Sequence, residues 1–268
     1  MNATSSAIVL QPLDLAAAAL LLLACAAASI ALALRVHRPM LIATARMIGQ
    51  LLLVGLILNK VLALSSGWLT ALVVAVMLVA ATQAVHARQR HGLAGRWAIG
   101  ASAAVVGTIT MGVTLLALAT ALRPDPWHDP RHLIPLTGIV LGAVMNAASL
   151  SLHDLFESLR RERASIEARL ALGHSHRQAF SHVAQRAVMT GILPTLNQMT
   201  AAGIITLPGI MTGQILAGME PLQAAKYQIL LMLLLASGSA LAAMAAVRLA
   251  IWRLSDTRAR LRWDRLRG

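Results

Sequence analysis

Blocks of roughly twenty mostly apolar residues recur along this chain, separated by short basic connectors, and that alternation leaves few folds open. A hydrocarbon core about 30 Å thick is crossed by about 20 helical residues, each adding about 1.5 Å. Inside lipid no water can pair a backbone N–H or C=O, so such blocks must form helices. The windows run over 13–34, 40–64, 68–85, 97–122, 133–152, about 187–207 and about 226–252, which makes about seven spans. Between the last two, 208–225 has an apolar part too short to cross and is predicted as an outer half-helix or re-entrant hairpin. The expected fold is all-α: a polytopic transmembrane helical bundle forming a single domain over 1–268.

Composition excludes the soluble classes. Hydrophobic residues make up 58% and charged residues 12%, against about 25% charged in an ordinary soluble domain. The single Cys25 offers neither a disulfide framework nor a cysteine metal site. A net charge of +13 would suit nucleic acid, but aromatics are only 3% and the arginines fall between apolar runs. No nucleic-acid partner is expected; the positive-inside rule accounts for the charge.

Counting arginines gives the orientation. With the amino terminus outside, the inner connectors carry Arg35, Arg38, Arg88, Arg90, Arg96, Arg160, Arg161, Arg163, Arg169, Arg177 and Arg186, and the basic tail 253–268 carries Arg253, Arg258, Arg260, Arg262, Arg265 and Arg267. The outer connectors carry Arg123 and Arg131. The asymmetry predicts an outside amino terminus, an inside carboxy terminus and a multi-pass protein of a bacterial inner (cytoplasmic) membrane. A cleaved signal peptide is the rival reading of the start. It is disfavoured because no Lys or Arg precedes Leu13 and the apolar run continues past Ala26 and Ala28 to Leu34.

One long polar stretch, 153–186, interrupts the apolar pattern. Asp154, Glu157, Glu162 and Glu167 alternate with Arg160, Arg161, Arg163 and Arg169, as expected of a solvated helix with near-neighbour ion pairs. Ile166, Leu170 and Phe180 give it apolar points, and Gly173 with His174 and Ser175 can break it into two helices meeting at an angle. A solvated helical extension is one reading. The favoured one is a short helix presented beneath the membrane that docks on a partner.

The run Glu167-Ala168-Arg169-Leu170-Ala171-Leu172-Gly173, with Val183 ten residues later, resembles the EAA-type coupling loop of ABC-transporter permeases. Gln185-Arg186 stands where that pattern commonly has Leu-Pro. The stretches 202–213, containing Leu207-Pro208-Gly209, and 224–229, together with Arg46 and Gln50-Leu51, are similar to the FetB family of iron-export ABC permeases. This resemblance covers about Arg46 to Trp252. It implies a permease that pairs with a separate ABC ATP-binding subunit, in which Glu167, Ala168, Leu170, Gly173 and Phe180 couple the two, and that exports iron from the cytoplasm. Plant proteins of the same kind are tied to aluminium tolerance and to sugar nucleotides. Another metal, or an organic or sugar-nucleotide solute, therefore stays open as cargo.

The chain has no Gly-x-x-x-x-Gly-Lys-Ser/Thr phosphate loop, so ATP and Mg would bind the partner and this chain would be a transport subunit without enzymatic activity. A homodimer of permease chains is the economical way to enclose a pathway and meet two ATPases. A seven-span receptor or scaffold would also show basic inner loops; the coupling-type run speaks against it. An intramembrane enzyme would need paired acids or a nucleophile with its base in the spans, and Asp14 is the sole acid near a span start.

Polar groups within apolar spans mark candidate pathway positions, because each is costly in lipid. Arg46 and Gln50 share a helical face; Arg46 either snorkels to the inner interface or faces the pathway. Asn146 either joins helices or faces a cavity, and the same choice holds for Asn197 and Gln198, near Thr195 and Thr200. Pro194 removes a backbone donor and is expected to kink its helix. Pro208, Gly209 and Gly213 are expected to allow close helix approach, with gating one use of it. The methionines read as apolar filler. Asp125, His128, Asp129 and His132 could supply hard metal ligands in the outer loop, although Pro124, Pro126 and Pro130 already explain a turn there.

Overall fold

The computed structural model describes residues 11–64, 66–89, 92–93, 95–126, 128–255 and 262–266. Arg90, Arg258, Arg260 and Arg267, and the stretch before Gln11 on which the signal-peptide argument turned, lie outside the described residues. Regular structure among the described residues is all-helical, with two isolated bridges, Leu93 to Leu266 and Ala202 to Thr206. The chain forms two compact units, Met1–Ser65 and Ser66–Gly268.

The first unit is a helical pair, α1 (Pro12–Ala31) and α2 (His37–Leu64). Asp14 Oδ2 accepts the Gln11 N–H at 2.9 Å, which satisfies a backbone donor that the helix start would leave unpaired. The turn after α1 is tight: Ala33 and Arg35 both take positive φ, 54° and 56°, and Ser29 Oγ accepts the Val36 N–H at 3.1 Å. Side chains without glycine's freedom pay about 1–2 kcal/mol each for that conformation.

The second unit holds α3 (Gly67–Ala87), α4 (Arg96–Ala117), α5 (Pro130–Arg161), α6 (Arg163–Ala171), α7 (His176–Ala201), α8 (Gly209–Leu216) and α9 (Pro221–Leu254). Alpha-helix α4 runs directly into a π-helical turn, Leu118–Leu122, and a 3₁₀ turn covers Trp263–Arg265. Helix α5 is the centre and packs against α3, α4, α7 and α9. Its buried side chains, among them Leu133, Leu136, Val140, Val144, Ala147 and Leu155, recur every third or fourth residue. The most apolar window of α5 is 56% buried, so α5 is the core helix of the second unit.

Six helices, α1 to α5 and α9, are long and apolar enough to cross a membrane among the described residues. The expected count of about seven included 187–207, and α7 does not meet the same standard of apolarity. That window drew apolarity from Ile204, Ile205 and Leu207, which lie beyond the helix end. The amides of Ile205 and Thr206 both bond to the Ala201 carbonyl at 3.0 Å, and Gly203 takes φ +88°, which stops α7 at Ala201. Helix α7 instead gains partners by packing against α5 and α9. A short helix is present in the 208–225 segment as α8, and Glu220 starts α9 at Pro221 by accepting the Leu222 and Gln223 N–H groups, each at 3.1 Å.

Among the helical glycines the closest approach is at Gly191 on α7. A Cβ there would lie 2.7 Å from the Ala147 carbonyl oxygen of α5 and 3.2 Å from Ala243 Cβ of α9. Only a hydrogen at this position lets the three backbones meet. One turn further, Thr195 and Ser239 share a buried hydroxyl hydrogen bond of 3.0 Å between α7 and α9.

Candidate functional site

Helix α3 runs parallel to the first half of α5, because both ends match. A Cβ on Gly67 would sit 3.1 Å from the His128 ring just before α5, and Arg88, just after α3, donates Nη1 to Asn146 Oδ1 at 3.0 Å. With 32 residues, α5 is about 48 Å long, some 18 Å more than a hydrocarbon core of about 30 Å. The residues after Asn146 therefore carry the chain past the end of α3 and deliver it to α6.

A helix that overshoots in this way needs its polar end held. Glu162 ends α5 in a non-helical conformation (φ −105°, ψ 19°) and accepts Arg186 Nη2 of α7 at 2.6 Å. His182 Nδ1 lies 3.4 Å from its other oxygen, and Arg186 Nε lies 3.7 Å from Asp154. The Arg186 hydrogen bond, outweighing partial burial, holds the Glu162 carboxyl below the usual glutamate range. Beneath this network Ile166 of α6 and Phe180 and Val183 of α7 are buried, and Leu170 packs against the same core.

The break predicted at Gly173 is present. Gly173 takes φ +85°, and the Gly173 and His174 amides return to the Leu170 and Arg169 carbonyls, each at 3.1 Å. Ser175 then opens α7 with a reciprocal cap: its N–H donates to Gln178 Oε1 at 3.0 Å, and its hydroxyl accepts the Gln178 N–H at 3.4 Å. The outcome is a short helix with Ile166 inward and Ala168, Arg169, Ala171 and Leu172 outward, Leu172 being 79% exposed. The predicted coupling set divides accordingly. Glu167, Ala168 and Gly173 are on the surface, Leu170 is half-buried, and Phe180, 1% exposed, anchors the helix from below and cannot touch a partner.

Sequence reasoning missed the tail's part in this site. Trp263 Nε1 donates to Glu167 Oε1 at 2.9 Å, and Arg163, which bonds the same oxygen at 2.9 Å, places its guanidinium 4.6 Å from the Trp263 ring centre. These donors, the indole first, hold the Glu167 carboxyl below the usual range. Arg265 Nη1 donates to the Arg253 carbonyl at 2.6 Å and Leu266 bridges to Leu93, so the tail is folded back beside α9. A lone tryptophan among arginines was the available signal.

The predicted pathway residues do not form one cluster among the described residues of the second unit. Asn146 is paired with Arg88, whereas Asn197 and Gln198 are exposed near the end of α7. Arg46 and Gln50 lie on α2 of the first unit, both exposed. Helix α7 continues through Pro194 without interruption, and Pro208 caps α8. A Cβ on Gly209 or Gly213 would meet nothing within 4 Å; the close approach expected at them occurs at Gly191 instead. Of the outer-loop quartet, Asp129 caps α5 by accepting the Arg131 N–H at 3.1 Å and pairs with His132 Nδ1 at 2.9 Å. That backbone bond is the main cause holding the Asp129 carboxyl low. Asp125 is exposed, and no group of three His, Cys, Asp or Glu that could hold a metal exists among the described residues.

Residues 12–254 match the model of an uncharacterised protein family, UPF0014. The chain is 38% identical over 195 residues to the UPF0014 membrane protein slr1647 of Synechocystis sp., covering 71% of this chain and 73% of that protein. It is 32% identical to the UPF0014 membrane protein STAR2 of Oryza sativa subsp. japonica, over 75% of this chain and 68% of that protein. It is 28% identical to the probable iron export permease protein FetB of Escherichia coli, over 85% of this chain and 86% of that protein. No solved structure matches the chain. The family match over nearly the whole chain and six helices apolar and long enough to cross a bilayer agree: this chain is a multi-pass membrane protein of the UPF0014 family.

Proposed function

We propose that this chain is the membrane-spanning permease subunit of an ABC transporter, and that it exports iron from the cytoplasm with energy from ATP hydrolysed on a separate subunit. The observation that carries the reading is α6. It is a nine-residue helix held on the end of an overlong α5, anchored inward by Ile166 and outward-facing at Ala168 and Leu172. A small rigid helix on a buttressed stem can transmit a partner's movement into the bundle without bending itself. Similarity to a protein named as a probable iron export permease supports iron as the cargo.

In this reading α7 is the further span, packed against α5 and α9, with Thr195 buried against Ser239 and Asn197 and Gln198 left exposed. The arginine pattern supports a cytoplasmic α6, where an ATPase would be available. Two copies of the chain meet two ATPase subunits. ATP and Mg sit on the partner.

The test is co-purification with a candidate ABC ATPase followed by reconstitution in vesicles. Association, with ATP hydrolysis stimulated by iron(II), is the expected result. Association with stimulation only by another metal or a sugar nucleotide would keep the transporter and reassign its cargo. Failure of every ABC ATPase encoded by the host to associate would reject the reading.

A further inference from the structure

Between α5, α8 and α9 lies an open cavity of about 410 Å³. That is within the range of about 300–1,000 Å³ typical of small-molecule sites. The cavity has a polar end and an apolar end. Arg131 and His132 come from the first turn of α5 and Tyr227 from the second turn of α9, with Gln214 of α8 on the third wall. Further along the same helices the lining becomes Leu136, Ile139, Leu231 and Leu234.

The polar end has unused binding capacity. The Arg131 guanidinium hydrogen-bonds to no described residue; its backbone N–H goes to Asp129, whose carboxyl also feels its charge. Gln214 Oε1 is a buried acceptor without a partner among the described residues, open to a hydroxyl donor rather than to a phosphate oxygen. The nearby carboxylates are engaged with helix starts: Asp129 caps α5 and pairs with His132, and Glu220 caps α9. A planar guanidinium left in this state in a cavity that Tyr227 also lines suits a phosphate oxygen better than a neutral group.

The apolar end has the depth of a lipid chain. From Arg131 to Ile139 the helix rises about 12 Å, and from Tyr227 to Leu234 about 10 Å, at about 1.5 Å per residue. One leaflet of hydrocarbon is half of a core about 30 Å thick, so the polar end falls at headgroup level and the floor within the acyl chains. We infer that this cavity binds one bilayer phospholipid with an anionic headgroup, its phosphate between Arg131 and Tyr227 and an acyl chain along Ile139 and Leu234. The inference requires only that α5 and α9 cross the bilayer and does not depend on the cargo or on the ATPase.

Native mass spectrometry of the full chain, delipidated in detergent and offered phosphatidylglycerol or phosphatidylcholine, tests it. One phosphatidylglycerol is retained in preference to phosphatidylcholine by about tenfold, the equivalent of about 1.4 kcal/mol. Arg131→Gln abolishes the preference, and Ile139→Trp, which fills the floor, removes the bound lipid. Arg131→Gln lies on an exposed position, so its effect is separable from misfolding of the bulkier variant. Equal retention of the two lipids, or an unchanged preference in Arg131→Gln, would overturn the inference. Displacement of the lipid by an equal concentration of glycerol phosphate would overturn it in favour of a water-soluble phosphate, and a lipid-free dimer that covers the cavity would assign the surface to a second copy.

Discussion

Trp263 and Glu167 are 96 residues apart in the chain and joined by a 2.9 Å hydrogen bond from the indole Nε1 to the carboxylate. The bond ties the carboxy-terminal tail to α6, the helix proposed to meet the ATPase. Trp263→Phe keeps the ring beneath Arg163 and removes only the donor. The expected outcome is an unchanged thermal midpoint for the bundle and faster hydrogen exchange at the α6 amides, read by mass spectrometry. Equal exchange in the two proteins would show that the tail does not restrain α6.

Glu162 and Arg186 should be coupled. The pair is partly exposed, so solvent screening limits its worth to about 1–2 kcal/mol. A double-mutant cycle with Glu162→Gln and Arg186→Met should show about that much interaction energy in thermal or denaturant unfolding. Additive effects would mean that α5 and α7 are held by packing alone.

Acid should weaken the same contact. The Glu162 carboxyl is held below its ordinary value of 4.5 by Arg186, so its contribution is fully present above that value and is lost as pH falls through the lower folded-state value. Unfolding midpoints measured well above 4.5 should therefore differ little at this site, with the loss setting in as pH falls through 4.5 and completing below the lower folded-state value. In Glu162→Gln the component of acid sensitivity from this contact disappears. A midpoint that drops between pH 7 and 6 and is restored by Glu162→Gln would contradict the assignment.

Gly191→Ala should destabilise the second unit by about 1–3 kcal/mol, because the added methyl meets the Ala147 backbone oxygen rather than a movable side-chain end. Gly209→Ala and Gly213→Ala, which meet nothing, serve as controls and should fall within about 0.5 kcal/mol of the parent. Denaturant titration in detergent distinguishes them.

Gly173→Pro cannot adopt φ +85°, since the proline ring holds φ near about −65°. The α6–α7 turn must rebuild, and association with the ATPase is expected to be lost while membrane insertion is kept. Glu167→Arg should produce the same loss by reversing a charge on the outer part of α6. Co-purification of either variant with the ATPase at the parental level would count against docking through this helix.

The all-helical class and all six strongly apolar spans could be read directly from local hydropathy, because a helix in lipid satisfies its own backbone and declares itself by composition; the start of α9 at Pro221 depends on the Glu220 cap. The Gly173 break was equally legible, since positive φ is a demand that a residue type meets or fails locally. What α7 buries was not legible. Its environment depends on α5 and α9, and its end at Ala201 depends on a turn whose apolar residues looked like further helix. Tertiary structure likewise decided that Phe180 is an anchor and not a contact, that Asn146 answers Arg88, that Gly191 rather than Gly209 is the close-packed glycine, and that the tail reaches Glu167. Hydropathy and backbone permissiveness belong to neighbouring residues in the chain, whereas these pairings arise only when distant helices are brought side by side.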